Sequence, residues 1–588
     1  MKTKYALILG SLLTLPVMSS TTQAASLPPV EARHGMVVSA QALAAQAGLD
    51  ILKQGGNAID AAVATGYAEA VVNPCCGNIG GGGFMTLHLA DGHDLFIDFR
   101  EMAPAAASAD MYLTPEREVR KGESMYGYRA VGVPGTVMGL EMAHRKFGRL
   151  SRQQIMAPAI RLAREGFTLT RADTDLMDTK IALFKKDAEA ARIFLRPDGS
   201  AWQPGDHFVQ HDLAQTLEDI ASHGLDAFYK GRIPAVIAKA SSQHNGLLTS
   251  EDFAKYRAKE RTPLSCDYRG FKVISAPPPS SGGVTLCETL NILEGYDLGK
   301  SGFNSAATVH YMTEALRRAY ADRNTYLGDP DFVNNPIAHL LDKTYATQLR
   351  TNIDAMRATP SSEISPPADL PEKPETTHYS VMDDAGNAVS TTFTLNGRFG
   401  AGVIAPGTGF LLNDEMDDFT VKVGEQNAYG LVQGHNNAIA PGKRPLSSMA
   451  PTIVTKDGQV FLVVGSPGGS RIITIVLETI SNVIDHHMTL QDAVDAPRVH
   501  HQWLQDRIYY ETRGLSPDTL SLLNEHGYSL QEQTPWGGVA AIMKGLPGLS
   551  DAKSESSGND GVESGKVRVD YLYGSNDARR PAGAAKGF

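Results

Sequence analysis

The chain has 588 residues, more than one ordinary hydrophobic core holds, and this length predicts about three to four domains. Its contents of 42% hydrophobic and 20% charged residues are typical of a globular protein. The formal net charge is −11 at pH 7, and the basic residues form no stripe along the sequence. Because this charge would repel a polyanion, we predict no nucleic-acid partner.

The first 25 residues have the pattern of a secretory signal peptide. Lys2 and Lys4 precede a short apolar run over residues 6–18, and the small residues Ala24 and Ala25 suit cleavage. A membrane anchor needs about 20 consecutive apolar residues, which neither this run nor any other stretch provides. We therefore expect a mature chain that starts near residue 26, has no membrane anchor and is periplasmic or secreted.

Four cysteines leave the disulfide pattern open. A bond between the neighbours Cys75 and Cys76 would be strained, because adjacent Cα atoms lie only about 3.8 Å apart. A bond between Cys266 and Cys287 suits an oxidising compartment, and burial as free thiols is the alternative. A metal site is disfavoured because no CxxC spacing occurs.

The amino-terminal part predicts two helices and then strands. Ser39 is a candidate cap for a helix over residues 40–52, and a second, alanine-rich helix is predicted over Ala58–Val72. Four glycines, 80–83, precede a predicted strand over 84–89. They indicate a close backbone approach, because a phosphate loop would carry a lysine and precede a helix. Arg100 ends the following strand, either as a surface charge or as a group that binds a carboxylate through two hydrogen bonds.

The middle of the chain leads to a change in composition. A helix is predicted over residues 307–320, with 321–323 as a salt-bridged structural corner. Residues 358–374 contain five prolines mixed with polar residues, which predicts an exposed linker that stops at Glu375 and Thr376. Such a linker suits either proteolytic cleavage or an ordinary domain connection.

A β-hairpin is predicted over residues 376–396. Turn residues 383–387 separate two runs of alternating and β-branched residues. A turn centred on Ala385 pairs residues whose numbers sum to 770, which places Thr376 opposite Thr394. A threonine becomes a good nucleophile when its own α-amine acts as the base, and this requires Thr376 to become a chain terminus. An ordinary hairpin is the alternative.

The remaining motifs lie after the hairpin. The acidic cluster 413–419 lacks the spacing of a calcium loop and is either a solvated face or a site for an ammonium group. Glycine-rich residues 465–471 follow a strand over 460–464 and open a helix over 472–483, which predicts an anion site. The histidine pairs at 486–487 and 500–501 are interpreted as structural. Residues 546–566 are interpreted as a flexible insertion, and 567–572 as a final strand.

From residue 35 onward the chain resembles the γ-glutamyltransferases, also called γ-glutamyltranspeptidases or glutathione hydrolases. The resemblance is carried, in the family's order, by GGNAIDAAVA, IGGGGFM, DFREMAP, VGVPGTVMGL, PPPSSGG, YADRNTYLGDPDF, TTHYSV, NDEMDDF, KRPLSSMAPT and GSPGGSRI. It implies an α+β fold, the four-layer αββα sandwich of N-terminal-nucleophile hydrolases. It also implies a precursor that cuts itself before Thr376, giving a large subunit of residues 26–375 and a small subunit of 376–588 that stay together as a heterodimer.

The resemblance further implies the roles of ten residues. Thr376 would attack the γ-carbonyl of glutathione or a related γ-glutamyl compound, Thr394 would orient it, and Gly468 and Gly469 would form the oxyanion hole. The substrate's α-carboxylate and α-ammonium would be bound by Arg100, Ser447 and Ser448, and by Asp418, Asn396 and Glu415, respectively. Water, amino acids or dipeptides would accept the γ-glutamyl group, and no metal or organic cofactor is expected. Tyr429 matches an aromatic residue of a mobile lid.

Three departures and two alternatives accompany this interpretation. Residues 73–77 differ from the commoner family loop, Gly397-Arg398 places a cation near the site that bears on the choice of acceptor, and residues 546–566 interrupt the small subunit. One alternative is a β-lactam acylase that removes a glutaryl group; it would need no partner for an ammonium, so Asp418 argues against it. The other is a catalytically silent binding protein on the same fold.

Overall fold

The computed structural model describes residues 26–364, 376–424, 427, 431, 433–547 and 567–588. The strands are β1 Val30–Ala32, β2 Gly35–Ser39, β3 Gly82–His88, β4 Asp94–Phe99, β5 Phe167–Thr168, β6 His207–Phe208, β7 Lys259–Arg261, β8 Leu264–Tyr268, β9 Phe271–Ser275, β10 Thr377–Asp383, β11 Ala388–Thr394, β12 Thr452–Lys456, β13 Gln459–Gly465, β14 Val499–His500, β15 Ile508–Glu511, β16 Leu530–Gln533, β17 Ala540–Lys544, β18 Leu572–Asn576 and β19 Ala584–Gly587. The helices are α1 Ala42–Lys53, α2 Ala58–Val72, α3 Thr136–Phe147, α4 Arg152–Glu165, α5 Arg171–Asp178, α6 Ile181–Phe184, α7 Ala188–Phe194, α8 His211–His223, α9 Leu225–Tyr229, α10 Arg232–Gln243, α11 Ser250–Lys255, α12 Gly282–Leu293, α13 Leu298–Ser301, α14 Ala306–Tyr326, α15 Ile337–Leu340, α16 Lys343–Thr351, α17 Ser361–Ile364, α18 Ile472–Ile484, α19 Leu490–Asp495 and α20 Pro517–Glu525.

Two seven-stranded sheets form the centre of the molecule. One has the strand order β1-β18-β17-β13-β12-β9-β8, and the other has the order β19-β2-β10-β11-β3-β4-β7. Alternation along a strand sends successive side chains to opposite faces. In β2, Met36 and Val38 join the apolar core between the sheets, whereas Val37 packs on the helical side. Ile453 of β12 and Ile542 of β17 meet Met36 in the core between the sheets.

Helices cover the outer face of each sheet. The helices α1, α2 and α3 pack on the sheet that contains β10, and α12, α14 and α18 pack over the other. Every residue of α2 is buried, and Asn57 begins this helix with a capping box to Asp60. The four layers confirm the predicted α+β sandwich.

In both sheets, strands from after residue 376 lie between strands from before it. In the second sheet, β10 and β11 lie between β2 on one side and β3 on the other. Removing the part after residue 376 would therefore leave unpaired strands in the middle of each sheet. Both parts therefore contribute strands to each of the two sheets.

Several local predictions are confirmed and others are wrong. The helix Ala58–Val72 has the predicted bounds. Ser39 does not cap α1, because it ends β2 and its hydroxyl bonds the buried Glu69 carboxylate. The predicted corner at 321–323 lies inside α14, which runs on to Tyr326 because no helix-stopping residue intervenes. The predicted final strand over 567–572 is wrong for all but Leu572, which begins β18, and β19 is the last strand described.

The linker prediction does not hold at its start. Ser361 is buried, its hydroxyl donates to the carbonyl of Trp503 at 2.5 Å, and its amide donates to Asp506 at 2.7 Å. Residues 365–375, most of the insertion at 546–566, the signal peptide and Tyr429 lie outside the described residues.

Cys266 and Cys287 are bonded, with Cα atoms 5.9 Å apart, and Cys75 is paired with Cys76. The free-thiol alternative is therefore wrong.

Candidate active site

Thr376 lies directly before β10, where 5% of its surface is exposed. Thr377 pairs with Phe393, and the other hairpin pairs follow the predicted register. One further step along this register places Thr376 opposite Thr394, which pairs on its other side with Gly82 of β3. The neighbouring glycines let the strands approach closely, because a Cβ on Gly83 would lie 2.4 Å from a backbone oxygen.

Both threonines line one cleft of about 310 Å³, which we call the Thr376 cleft. Its walls come from segments far apart in the sequence, namely Arg100, Arg323, Thr376, Thr394, Asn396, Glu415, Asp418, Leu431, Leu446, Ser447, Ser448, Met449, Gly469, Ser470 and Ile472. Nine of the ten predicted site residues therefore meet at one place. The tenth, Gly468, immediately precedes Gly469 in the chain.

Arg100 stands at the buried end of the cleft, after β4. Its guanidinium forms ion pairs with Glu415 and Asp418, lies 3.6 Å from Glu101, and donates to the Pro445 carbonyl at 3.2 Å. The acidic cluster is thus neither a solvated face nor a calcium loop, because the turn Glu415–Asp418 is buried against this arginine. The surface-charge interpretation of Arg100 is wrong for the same reason.

Burial and charge oppose each other in this cluster. Burial alone would lower the pKa of Arg100, but the Glu415 and Asp418 carboxylates raise it above its ordinary value. Burial raises the pKa of Glu101 to about 7 and that of Glu415 well above its usual range, against the effect of Arg100. Arg100 therefore favours the charged form of the carboxylates around it, while burial opposes that form.

The serines of the cleft are held by a second arginine that the sequence did not single out. Arg323 of α14 donates from Nε to Ser281 at 2.8 Å and from a terminal nitrogen to Ser448 at 3.0 Å. Burial lowers its pKa to about 10, so it stays charged at neutral pH. Ser281 in turn donates to the Ser447 carbonyl at 2.7 Å. Arg323 lies in the last turn of α14, and the available signal was its place in the quoted motif YADRNTYLGDPDF.

Asn396 and the glycine pair occupy backbone conformations that shape the cleft. Asn396 has φ +74°, its amide N–H donates to the Thr394 hydroxyl at 2.8 Å, and its side chain donates to the Asp414 carbonyl at 3.0 Å. Gly468 and Gly469 have φ +146° and +55°, values that favour glycine. They lead through a short 3₁₀ turn into α18, and Gly469 lines the cleft, so the start of this helix borders the cleft where an anion site was predicted.

The described part of the chain contains no group of three or more side chains suited to hold a metal ion. His500 bonds Thr474 and Gln502, and His501 lies 3.4 Å from Asp506, in keeping with the structural interpretation of this pair. In the same described residues, every helix is too short or too polar to span a bilayer.

A threonine at the start of a central strand, in a four-layer sandwich and beside amides at a helix start, defines an N-terminal-nucleophile hydrolase. Comparison with known proteins narrows this class. A family model described as Gamma-glutamyltranspeptidase matches residues 44–564. The chain is 54% identical to the glutathione hydrolase proenzyme of Pseudomonas sp. (strain A14), with 96% of each chain covered. It is 49% identical to the glutathione hydrolase proenzyme of Escherichia coli (strain K12), covering 90% of this chain and 91% of that one.

Among solved structures, the cephalosporin acylase from Bacillus halodurans matches with a TM-score of 0.80 at 28% identity, covering 98% of this chain and 99% of that one. The γ-glutamyltranspeptidase of Helicobacter pylori matches with a TM-score of 0.55 at 43% identity, over 55% of this chain and 93% of that one. The chain belongs to the γ-glutamyltranspeptidase family.

Proposed function

We propose that the protein is a γ-glutamyltransferase and glutathione hydrolase that cuts its own precursor between Glu375 and Thr376. The observation that carries this proposal is the Thr376 cleft itself. It joins a threonine hydroxyl, amide donors at the start of α18 and an arginine–carboxylate pair in about 310 Å³. The names of the relatives with 54% and 49% identity support the same activity.

The reaction needs a free amine at Thr376. In the precursor, the Thr376 hydroxyl attacks the carbonyl of Glu375, and breaking of the C–N bond frees the α-amine and leaves the Glu375 acyl group as an ester on the threonine oxygen. Water then hydrolyses this ester, which releases the Glu375 carboxylate and restores the hydroxyl. In turnover, this amine takes the hydroxyl proton as the oxygen attacks the γ-carbonyl of the donor. The proton passes to the departing amine, and a γ-glutamyl ester remains on Thr376. Water or an acceptor amine then cleaves the ester and restores the hydroxyl.

The amides of Gly468 and Gly469 are suited to stabilise the negative oxygen that forms in both steps. Preorganised donors of this kind contribute about 3 kcal/mol each to transition-state stabilisation. Their positive φ values support this role, because a residue with a side chain would strain the turn that aims the amides at the cleft. Thr394 orients the nucleophile from the opposite strand.

Recognition of the donor follows from the ion pair at the buried end of the cleft. A γ-glutamyl group carries an α-carboxylate and an α-ammonium on one carbon, and this zwitterion can enter between Arg100 and Asp418. The carboxylate takes the place of Asp418 on the guanidinium and accepts from Ser447 and Ser448. The ammonium donates to Asp418, with Asn396 and Glu415 nearby. Each buried charge keeps an opposite partner during the exchange, which avoids the cost of an unpaired charge.

The interleaved strands support a heterodimer of residues 26–375 and 376–588, because cleavage leaves the hydrogen bonds between strands intact. Export to a periplasm or the medium is part of the proposal. It rests on the amino-terminal signal pattern and on the bond between Cys266 and Cys287, which an oxidising compartment favours. Amino acids and dipeptides are the proposed acceptors.

The match to the cephalosporin acylase fold favours a second candidate, an acylase that removes glutaryl groups. A glutaryl group lacks the α-ammonium, so it would leave Asp418 without a ligand partner. Release of product from γ-glutamyl p-nitroanilide and from glutaryl p-nitroanilide separates the two activities. A preference for the glutaryl substrate would replace the proposed function with the acylase activity.

Cleavage is tested on a denaturing gel and by sequencing the amino ends of the mature chains. We expect two bands, the smaller of which begins Thr-Thr-His-Tyr. Thr376→Ala should give one uncut and inactive band, and Thr376→Ser, which keeps a hydroxyl, should still be cut. Cleavage of the alanine variant would refute the assignment. An uncut and inactive wild-type protein would favour a silent binding protein on this fold.

A further inference from the structure

Two neighbouring cysteines share a cavity with the nucleophile. Cys75 and Cys76 follow the end of α2 by a few residues and are bonded to each other. Cys76 lines a cavity of about 820 Å³, and Thr376 lies in the wall of this cavity as well as in that of the Thr376 cleft. The departure from the family loop at residues 73–77 therefore places a disulfide near the reacting hydroxyl.

This disulfide adds little to the stability of the fold. It joins residues one position apart, whereas the bond between Cys266 and Cys287 spans 21 residues. Stabilisation by a disulfide grows with the length of the loop that it closes, and a bond between neighbours closes almost none. A structural role therefore leaves the Cys75–Cys76 bond unexplained, and its surroundings indicate a chemical role.

Asn73 connects the disulfide to the strand that follows the nucleophile. Cys75 Sγ lies 3.2 Å from Oδ1 of Asn73. Nδ2 of the same side chain donates to the Thr377 hydroxyl at 3.2 Å and to the Glu69 carboxylate at 2.7 Å. Thr377 begins β10 and is the residue after Thr376. One side chain thus separates the sulfur of Cys75 from the neighbour of the nucleophile.

Reduction changes the contacts of both sulfurs. Two thiols cannot lie as close together as two bonded sulfurs, and the surroundings leave little room, because Cys75 and Cys76 are only 2% and 3% exposed. Reduction also gives Cys75 a hydrogen, which makes its sulfur a weak donor toward Oδ1 of Asn73. Both changes act at the amide that bonds Thr377, so they reach the strand that positions the nucleophile.

We propose that the Cys75–Cys76 disulfide exchanges with low-molecular-weight thiols and that its oxidation state sets the catalytic rate through Asn73. The rate readout rests on the proposed function, which also supplies a thiol of this class, because glutathione carries one. Cys76 is the residue attacked, since it lies in the cavity wall. Asn73 acts on the nucleophile through Thr377 and is a positioning residue.

The exchange takes two steps. A thiolate attacks Cys76 Sγ, a bond forms between these two sulfurs, and the bond from Cys76 to Cys75 breaks. Cys75 leaves as a thiolate and takes up a proton. A second thiolate then attacks the sulfur of the first small thiol and releases Cys76, which is protonated in turn. Two small thiols are oxidised to one disulfide, and the protein disulfide is reduced to two thiols.

The test titrates the purified two-chain enzyme with dithiothreitol, a dithiol that carries no γ-glutamyl group. Alkylation with iodoacetamide and peptide mass spectrometry report reduction at each cysteine, and γ-glutamyl p-nitroanilide reports kcat and KM. We expect labelling of Cys75 and Cys76 and a fall in kcat of about two- to tenfold, as for the loss of one neutral hydrogen bond. Both changes should share one midpoint, KM should stay nearly constant, and removal of dithiothreitol followed by oxidation with diamide should restore kcat.

Three variants separate the exchange from its effect on the rate. Cys75→Ser with Cys76→Ser imitates the reduced pair and should have the lower kcat with or without dithiothreitol. Asn73→Ala should still be labelled at both cysteines, but its kcat should no longer respond. Cys266→Ser with Cys287→Ser is the matched control and should keep the full response of wild type.

The titration of wild type decides the matter if the serine variant fails to fold. Reduction of Cys75 and Cys76 with kcat unchanged would overturn the effect on the rate. Absence of labelling at these two cysteines in the folded enzyme would overturn the exchange site. Failure of the proposed function looks different, because wild type would then release no nitroaniline while the labelling would still follow dithiothreitol.

Discussion

Replacing Asp418 with asparagine removes one negative charge from the Thr376 cleft and keeps the shape of the side chain. Only 12% of the Asp418 side chain is exposed, and its carboxylate faces the Arg100 guanidinium. If this carboxylate accepts from the donor's ammonium, the variant loses one charge-assisted hydrogen bond, about 1.5–3 kcal/mol. At 1.4 kcal/mol per factor of ten, kcat/KM for the donor should fall about 10- to 150-fold. The loss should appear mainly in KM, because the ammonium is bound equally in the ground and transition states.

The assay compares γ-glutamyl p-nitroanilide with glutaryl p-nitroanilide, which lacks only the ammonium. Wild type should prefer the first substrate strongly, and Asp418→Asn should lose most of that preference while its activity on the second substrate changes little. Asp417→Asn is the matched control. Asp417 lies in the same turn but accepts from the Ser124 hydroxyl at 2.5 Å, so this variant should keep the preference.

An equal loss on both substrates would refute the reasoning. It would mean that Asp418 supports the nucleophile or the fold through Arg100 and does not recognise the ammonium. A variant that still preferred the γ-glutamyl substrate as strongly as wild type would also refute the reasoning. Glu415 would then be the residue that binds the ammonium.

Three further predictions concern other buried contacts. Arg323→Lys should raise KM for the donor about tenfold, because an ammonium cannot bond Ser448 and its other partners with the planar fork of arginine. Glu69 is buried, and burial raises its pKa to about 7, so wild type should lose stability as pH rises from the unfolded value of 4.5 toward 7. Between pH 5 and 8 this loss should amount to about 2.5 kcal/mol in the free energy of unfolding, measured by urea titration at each pH. Glu69→Gln should remove this pH dependence. Replacing Cys266 and Cys287 by serine opens a 21-residue loop and should lower the free energy of unfolding by about 3 kcal/mol, measured in urea.

Each of these has a result that would contradict it. Unchanged kinetics in the lysine variant would show that Arg323 does not position the cleft serines. Parallel stability profiles for Glu69→Gln and wild type would show that this carboxyl titrates normally in the folded protein. For the cysteines, a reductant should lower the free energy of unfolding of wild type to that of the serine variant and leave the variant unchanged. If the reductant lowered both by the same amount, the disulfide would not be the cause of the difference in stability.

Local sequence determined the elements whose partners are close along the chain. The hairpin register follows from the turn at 383–387 and from the alternation on either side, because the position of the turn fixes which residues of the two strands lie opposite each other. The alanine-rich pattern and its cap likewise set the bounds of α2. The quoted motifs also identified the cleft residues through the family resemblance, because each motif is a contiguous string that can be matched without knowledge of its neighbours in space.

Only the tertiary structure decided how distant segments combine. Arg323 was assigned to a structural corner because its partners Ser281 and Ser448 lie more than 40 residues away on either side. The pairing of Arg100 with Glu415 and Asp418 joins segments more than 300 residues apart. From the sequence alone, these charged residues could equally lie at the protein surface. Contacts between distant segments form because the two sheets bury their apolar surface together, and no local sequence pattern records this burial.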